Sequence, residues 1–226
     1  MDWEWVATHG PLLRERMAEH LPMAILPVVF GLLISIPLGI ACVRWPRIYP
    51  PVLAATSILY SLPSIALFAL LLNFTGLSQT TVIIPLTLFT LSILVRNVVD
   101  GLRAVPESVR QSATAMGFSE LRRLARVELP VATPVIIAGT RVATVSNISL
   151  ASVGGLIGIG GLGQLFTDGF QLQQPTRIVV GIVLTVLLAV VCDAALVILQ
   201  RVLTPWARRD SRAARRARRA LLEATT

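Results

Sequence analysis

The sequence predicts an all-α integral membrane protein with five transmembrane helices. Apolar residues make up 54% of the 226 residues and charged residues only 14%, whereas soluble domains are typically about 45–50% apolar and about 25% charged. Charge-free stretches are also long, because no Asp, Glu, Lys or Arg occurs in the 48 residues between Arg47 and Arg96. A run of about 20 apolar residues is enough to cross a bilayer as a helix.

Five apolar segments of that length follow one another along the chain. They cover about residues 21–43, 51–74, 81–99, 131–153 and 178–199. The sequence therefore divides into an N-terminal segment (1–20), a transmembrane domain (21–204) that contains a charged loop (100–130), and an Arg-rich C-terminal tail (205–226).

The arginines predict the orientation of these five helices. All twenty basic residues are Arg, and sixteen of them fall on one side of the membrane if the charged loop lies in the cytoplasm. Cytoplasmic segments carry the excess of basic residues. We therefore expect the N-terminus outside and the C-terminus inside. The tail is then interpreted as an anchor on the anionic inner leaflet rather than a nucleic-acid-binding segment.

The absence of Lys excludes several kinds of chemistry. A phosphate-binding loop of the usual G-x-x-x-x-G-K-[ST] form requires a Lys, and so do Schiff-base and Ser-Lys catalysis. The two histidines, His9 and His20, lack the H-E-x-x-H spacing of zinc enzymes. We therefore predict no catalytic residue, no metal site and no cofactor bound by this chain.

The charged loop is the most informative segment of the chain. Pro106 suits the first turn of a helix, and Gly117 suits the end of one. The pattern predicts two short amphipathic helices joined at Gly117, with Pro130 and Pro134 redirecting the chain into the fourth span. Such a stiff, protruding elbow would suit a lever on which a soluble partner pushes.

The spacing in this loop resembles the EAA coupling motif of permease subunits in bacterial ABC importers. That motif runs Glu-Ala-Ala, three residues, Gly, nine residues, an aliphatic residue, one residue, then Leu-Pro. At the same spacings this chain has Gln111-Ser112-Ala113, Gly117, Val127 and Leu129-Pro130. Gln111 replaces the glutamate of the motif and removes its charge.

This resemblance implies a type I ABC importer fold, similar to that of the methionine permease, in the plasma membrane of a bacterium. It also implies a separate ATPase subunit that binds the ATP, a second permease subunit (identical or related), and an extracytoplasmic solute-binding protein. The residues that it assigns to the ATPase contact are Gln111, Ser112, Ala113, Gly117, Phe118 and Pro130.

Four further segments resemble the osmoprotectant branch of these permeases. They are Ile-Pro-Leu-Gly at 36–39, Ser-Leu-Pro-Ser-Ile-Ala at 61–66, Val-Glu-Leu-Pro at 127–130 and Ile-Gly-Ile-Gly-Gly-Leu-Gly at 157–163. That branch takes up glycine betaine, proline betaine, carnitine or choline. The methionine branch shares some of these features, so methionine or another small polar solute is the alternative. A secondary transporter is less favoured, because such proteins typically show related halves and a coupling-ion site.

Two segments are candidates for the solute pathway. Pro63 removes a backbone donor in the second span, which predicts either a broken helix that lines the pathway or a simple packing kink. The segment 154–163 contains six glycines and is too poor a helix former for a lipid-facing span, so we favour a re-entrant or gate-forming segment over a flexible loop. The candidate pathway residues are Pro63, Ser64, Gly158, Gly160, Gly161 and Gly163.

Arg141 and Asp193 are the ionisable residues deepest in the spans. At 1.5 Å per residue they lie about 15 Å and about 12 Å from the inner ends of their helices. Isolated charges at that depth are costly, so we expect the two side chains to pair. A structural link is favoured over a contact with the solute.

Overall fold

The computed structural model describes residues 3–206, and an all-α fold is confirmed over that range. Residues 207–226, which include most of the predicted tail, lie outside the described residues. The α-helices are α1 (Trp3–Thr8), α2 (Gly10–Arg44), α3 (Tyr49–Ser61), α4 (Ser64–Thr75), α5 (Thr80–Arg103), α6 (Glu107–Ala115), α7 (Glu120–Arg123), α8 (Leu129–Ala151), α9 (Leu162–Gln171) and α10 (Pro175–Leu203). Short 3-10 segments cover Pro46–Ile48 and Ser152–Ile157, and a π-helical turn covers Leu124–Glu128.

Four helical stretches of the described chain are long and apolar enough to cross a membrane. They are Gly10–Arg44, Thr80–Arg103, Glu120–Ile157 and Pro175–Leu203. The α3–α4 pair is a candidate for the fifth crossing. Four of the five predicted spans are thus found as long apolar helices, and the α3–α4 pair makes five if it counts as one crossing. Two of the predicted spans differ in form from the expectation.

The second predicted span is not one helix. The chain bends by 88° between α3 and α4, at Leu62 and Pro63, which have extended backbone angles. The two helices have 13 and 12 residues, or about 20 and 18 Å, and each is shorter than the hydrocarbon layer of about 30 Å. A bend of this size is a break in the helix and exceeds a packing kink, because Pro63 lacks the N–H that would continue the ladder.

The first span begins earlier than the apolar pattern indicates. α2 has 35 residues, which is about 52 Å, so most of the predicted N-terminal segment belongs to the same helix. The charged residues Arg14, Glu15, Arg16 and Glu19 interrupt the apolar run without interrupting the helix. Arg and Glu are good helix formers, and Pro11 lies in the first turn, where a missing N–H has no consequence.

Small residues allow α2 and α5 to approach closely. Gly31, Ser35 and Gly39 are buried at four-residue intervals on α2 and therefore share one face. Gly31 packs against Thr90 of α5, and a Cβ at Gly39 would lie 2.5 Å from Cγ1 of Val98. In membrane proteins this close approach replaces the hydrophobic effect as the source of helix association. α8 completes the three-helix core, since Ala132 and Ile136 pack in the same cluster as Val98 and Leu102.

Gly39→Leu is expected to destabilise this core, because the larger side chain would overlap Val98. Overpacking typically costs about 1–3 kcal/mol, so the midpoint of thermal unfolding in detergent should fall by several degrees. Gly10→Leu is the matched control, since a Cβ at Gly10 meets nothing within 4 Å. Equal midpoints for the two variants would contradict this packing.

Candidate functional site

The charged loop folds into the elbow, which we define as residues 107–128: α6, the turn at Gly117, α7 and the π-helical turn. The turn has the hydrogen bonds of a Schellman motif. Gly117 N–H donates to Thr114 O at 2.9 Å, and Phe118 N–H donates to Ala113 O at 3.1 Å. Gly117 has a φ of +80°, which explains the need for glycine at this position.

The residues assigned to the ATPase contact differ in accessibility. Ala113 is buried and Phe118 is half-buried, whereas Gln111 and Ser112 are exposed. The Ser112 hydroxyl donates to Ser108 O at 2.8 Å. The structure therefore leaves Gln111 and the Gly117 turn on the surface of the elbow, while Ala113 packs inside it.

Two further residues at the tip of the elbow escaped the sequence analysis. Met116 is 70% exposed and Leu121 is 80% exposed, on either side of the Gly117 turn. Exposed apolar side chains next to a turn that is a candidate partner contact are themselves candidate interface residues. Their apolar character close to Gly117 was the available signal.

The expectation that Pro130 and Pro134 redirect the chain was wrong. α7 continues through the π-helical turn into α8, and helix extends without a break from Glu120 to Ile157. Pro130 lies in the first turn of α8, directly after the π-helical turn. The ordinary i to i−4 pattern is already interrupted in a π-helical turn, so the missing N–H of Pro130 does not end the helix. Pro130 is consequently part of a membrane helix and lies away from the tip of the elbow.

The base of the elbow contains a buried carboxylate held by two arginines. Arg123 Nε donates to Glu128 Oε1 at 2.8 Å, and Arg110 Nε lies 3.7 Å from Glu128 Oε2. Arg110 Nη2 also donates to Leu102 O at 2.7 Å, and Arg123 Nη1 donates to Thr114 Oγ1 at 3.0 Å. We call Arg110, Arg123 and Glu128 the Glu128 clamp.

The predicted pathway segments are ordered and packed together. Phe68 of α4 and Ile159 of the glycine-rich segment belong to one buried cluster, so the broken helix and the glycine-rich segment adjoin. Pro63 lies exposed at the break, with Ser64 half-buried beside it. Burial of most of the glycine-rich segment argues against a flexible loop. Three of its glycines have φ between +69° and +92°, namely Gly158, Gly160 and Gly161.

The N-terminal end of α2 holds the glycine-rich segment in place. Gly161 N–H donates to Glu19 Oε2 at 2.8 Å, and Leu162 N–H donates to His20 Nδ1 at 3.3 Å. Since Nδ1 accepts, Nε2 of the fully buried His20 is the donor to Ile148 O at 3.0 Å. Glu19 and His20 thus cap the first turn of α9 from another helix, a link that no local pattern predicts.

Neighbouring atoms lie so close to two of the candidate pathway glycines that a side chain would not fit there. A side chain at Gly163 would collide with the backbone of Ser152, and a Cβ at Gly160 would lie 2.6 Å from Glu19 Oε2. Gly158 differs, because a Cβ there would meet nothing within 4 Å.

Arg141 and Asp193 lie together in the structure. Arg141 Nε donates to Asp193 Oδ1 at 2.7 Å, and Arg141 Nη2 donates to Asp193 Oδ2 at 2.8 Å. This bidentate geometry fixes the relative orientation of the two side chains in addition to their charge attraction. It joins α8 to α10, a helix on which few residues are buried within this chain.

Comparison with known proteins decides the family. Residues 35–209 match the family described as "Binding-protein-dependent transport system inner membrane component". The chain belongs to this family. It is therefore a multi-pass permease of the inner membrane, in a class of membrane components rather than enzymes.

This chain is similar to two curated permeases along most of its length. It is 32% identical to the choline transport system permease protein OpuBB of Bacillus subtilis (strain 168) over 202 residues, which are 89% of this chain and 93% of that protein. It is 35% identical to the osmoprotectant import permease protein OsmW of Salmonella typhimurium (strain LT2) over 192 residues, or 83% and 89% of the two chains.

The solved structure of the MetNI methionine ABC transporter in an inward-facing conformation is similar in fold. The match has a TM-score of 0.78 and 26% identity, and covers 87% of this permease and 98% of that chain. The expectation of a type I ABC importer fold is confirmed. As a permease of such an importer, the chain works with an ATP-binding subunit and a substrate-binding protein.

The ion pair between α8 and α10 is expected to behave as one unit. Arg141→Gln and Asp193→Asn should each lower the midpoint of thermal unfolding, because each leaves the other charge unpaired inside a membrane span. The midpoint of thermal unfolding of the double variant should then fall no further than that of the less stable single variant.

Asp168→Asn is the control for this comparison, since Asp168 lies 3.8 Å from Arg177 and not at the pair. Combined with Arg141→Gln it should give additive shifts. Additive shifts for Arg141→Gln with Asp193→Asn would show that the two side chains do not interact.

Proposed function

We propose that this permease forms the solute pathway of an ATP-driven importer for compatible solutes such as glycine betaine, proline betaine, carnitine or choline. The observation that carries the proposal is similarity along most of the chain to permeases named for choline and osmoprotectant transport. Methionine or another small polar solute is the alternative, supported by the fold match to the methionine transporter at lower identity.

The proposed pathway runs beside the break in the second span and the glycine-rich segment. Irregular backbone at membrane depth is tolerated only where it is buried in protein or faces water. The break at Leu62 and Pro63, directly before α4, and the glycine-rich segment are two adjoining places where the described chain departs from regular α-helix. The proposed pathway or gate residues are accordingly Pro63, Ser64, Gly158, Gly160, Gly161 and Gly163.

The elbow is the proposed contact for the ATPase subunit. Gln111, Ser112, Met116 and Leu121 give it an exposed surface of mixed polarity. Ala113 is buried and Phe118 half-buried beneath that surface, and Pro130 follows the elbow in the first turn of α8. A cavity of about 330 Å³ opens beside it and could receive a side chain of the partner; it is lined by Glu107, Arg110, Gln111, Thr114 and Arg123.

In the proposed orientation the elbow and the C-terminal tail face the cytoplasm and residues 1–20 begin outside. This requires the α3–α4 pair to count as one crossing, since five crossings place the two ends on opposite sides. The distribution of sixteen of the twenty arginines to the elbow side supports the assignment. In that orientation the tail lies where it can contact the anionic inner leaflet.

A second permease subunit completes the proposed pathway. Only three residues of α10 are buried within this chain, namely Thr176, Gly181 and Leu188, although α10 is the most apolar of the four long helical stretches. Five crossings are few to enclose a solute, so we propose a dimer with an identical or related permease. Recognition of the quaternary ammonium group is assigned to the separate solute-binding protein outside the membrane.

Uptake by the assembled transporter tests the proposed substrate class. The permease should be co-expressed with its ATPase, reconstituted in proteoliposomes and supplied with the solute-binding protein. We expect ATP-dependent uptake of radiolabelled glycine betaine or choline, and a rise in ATP hydrolysis when the binding protein carries the solute. Uptake of methionine without uptake of either quaternary amine would overturn the substrate assignment and leave the ATPase coupling intact.

Gly117→Arg tests the docking surface. An Arg at this left-handed position strains the turn and adds a long side chain at the tip of the elbow, so co-purification of the ATPase should fall about tenfold or more, as after loss of a central interface contact. Gly76→Arg is the matched control, because Gly76 has a φ of +65° and is equally open, with nothing within 4 Å, but lies between α4 and α5. Equal ATPase binding by both variants would contradict the assignment.

A further inference from the structure

Glu128 occupies the single unspecified position of the coupling motif between the aliphatic Val127 and Leu129-Pro130, and no role has been given to it above. We propose that Glu128 is a positioning residue that transmits movement of the elbow to the membrane helices. This inference rests on the proposed function of the elbow as the ATPase contact. It adds a residue that acts after docking, by holding the elbow rigid against α5 and α8.

Glu128 is buried and charged at the last residue of the π-helical turn. Its relative exposure is 7%, and a carboxylate with so little access to water requires partners of opposite charge. Arg123 supplies a hydrogen bond of 2.8 Å, and Arg110 supplies a second positive charge at 3.7 Å. Hydrogen bonds between charged groups are stronger than neutral ones, so the carboxylate fixes Arg123 by a hydrogen bond. Arg110 is attracted to it by charge at 3.7 Å, and its Nε has no hydrogen-bond partner among the described residues.

The Glu128 clamp connects every helix at the base of the elbow. Arg110 projects from α6 and also donates to Leu102 O near the end of α5, at 2.7 Å. Arg123 projects from α7 and also donates to Thr114 Oγ1 of α6, at 3.0 Å. Glu128 directly precedes α8. One buried carboxylate therefore joins both elbow helices to the two long helices that flank them.

This connection matters because the elbow contains two weak points. The Gly117 turn separates α6 from α7, and a π-helical turn between α7 and α8 is of a kind that often marks functional sites. A push on α6 could be absorbed by bending at either point. With the clamp in place, displacement of α6 is passed through Arg110 and Glu128 directly to α5 and α8.

Neutralising the carboxylate should therefore separate ATP hydrolysis from transport. Glu128→Gln keeps the size of the side chain and removes its charge. In the complete transporter in proteoliposomes, we expect the ATPase to co-purify at the wild-type level and to hydrolyse ATP, while the amount of solute taken up per ATP falls about tenfold or more, the free-energy equivalent of about 1.4 kcal/mol. Glu128→Asp should retain an intermediate ratio.

Two further variants make the comparison decisive. Asp168→Asn removes a carboxylate that pairs with Arg177 at 3.8 Å outside the elbow, and should leave solute uptake per ATP unchanged. Arg123→Gln removes the closest partner of Glu128 and should reproduce the Glu128→Gln defect, which also provides the test if Glu128→Gln does not accumulate in the membrane.

The outcomes distinguish this inference from the proposed function. An unchanged uptake per ATP in Glu128→Gln would overturn the transmission role, and so would loss of ATPase binding, which would place Glu128 in docking instead. If wild-type transporter moves a different solute, the ratio is measured with that solute and the transmission role is tested independently of substrate. If the wild-type permease binds no ATPase, the proposed function fails before the variants are compared.

Discussion

A lipid bilayer offers no hydrogen-bond partners to a peptide chain, and the architecture of this permease follows from that constraint. Long stretches of backbone are helical because only helices satisfy their own polar groups in lipid. The glycine-rich segment departs from regular α-helix where protein surrounds it, and its amides at Gly161 and Leu162 are bonded by Glu19 and His20 of α2. Irregular backbone is therefore a guide to the sites where the helices can move or open.

The helical class, the number of apolar stretches and the Gly117 turn could all be predicted from local sequence. Hydropathy and residue propensity can be read from a few consecutive residues, and in this chain both clearly indicate apolar helices and a turn at Gly117. Even the depth of Arg141 and Asp193, counted at 1.5 Å per residue, led to the expectation that they would lie near each other. These features depend on one segment at a time or on a simple rise along a helix.

Other features depend on contacts between distant segments, and local patterns missed them. The extension of α2 back to Gly10 was obscured by charged residues that remain helical. The continuation of helix from α7 into α8 was obscured by Pro130, which follows the π-helical turn. The cap on α9 joins residues 142 positions apart. The Glu128 clamp depends on the mutual packing of α6, α7 and α8, which no single helix pattern encodes.

In the proposed function the permease supplies no energy for transport. The ATPase subunit moves the elbow, and the membrane helices move with it. Reconstitution of the purified permease alone, in vesicles with an imposed proton or sodium gradient, tests that claim most directly. We expect no accumulation of glycine betaine or choline above the external concentration. Uphill accumulation driven by the ion gradient, without the ATPase, would contradict it.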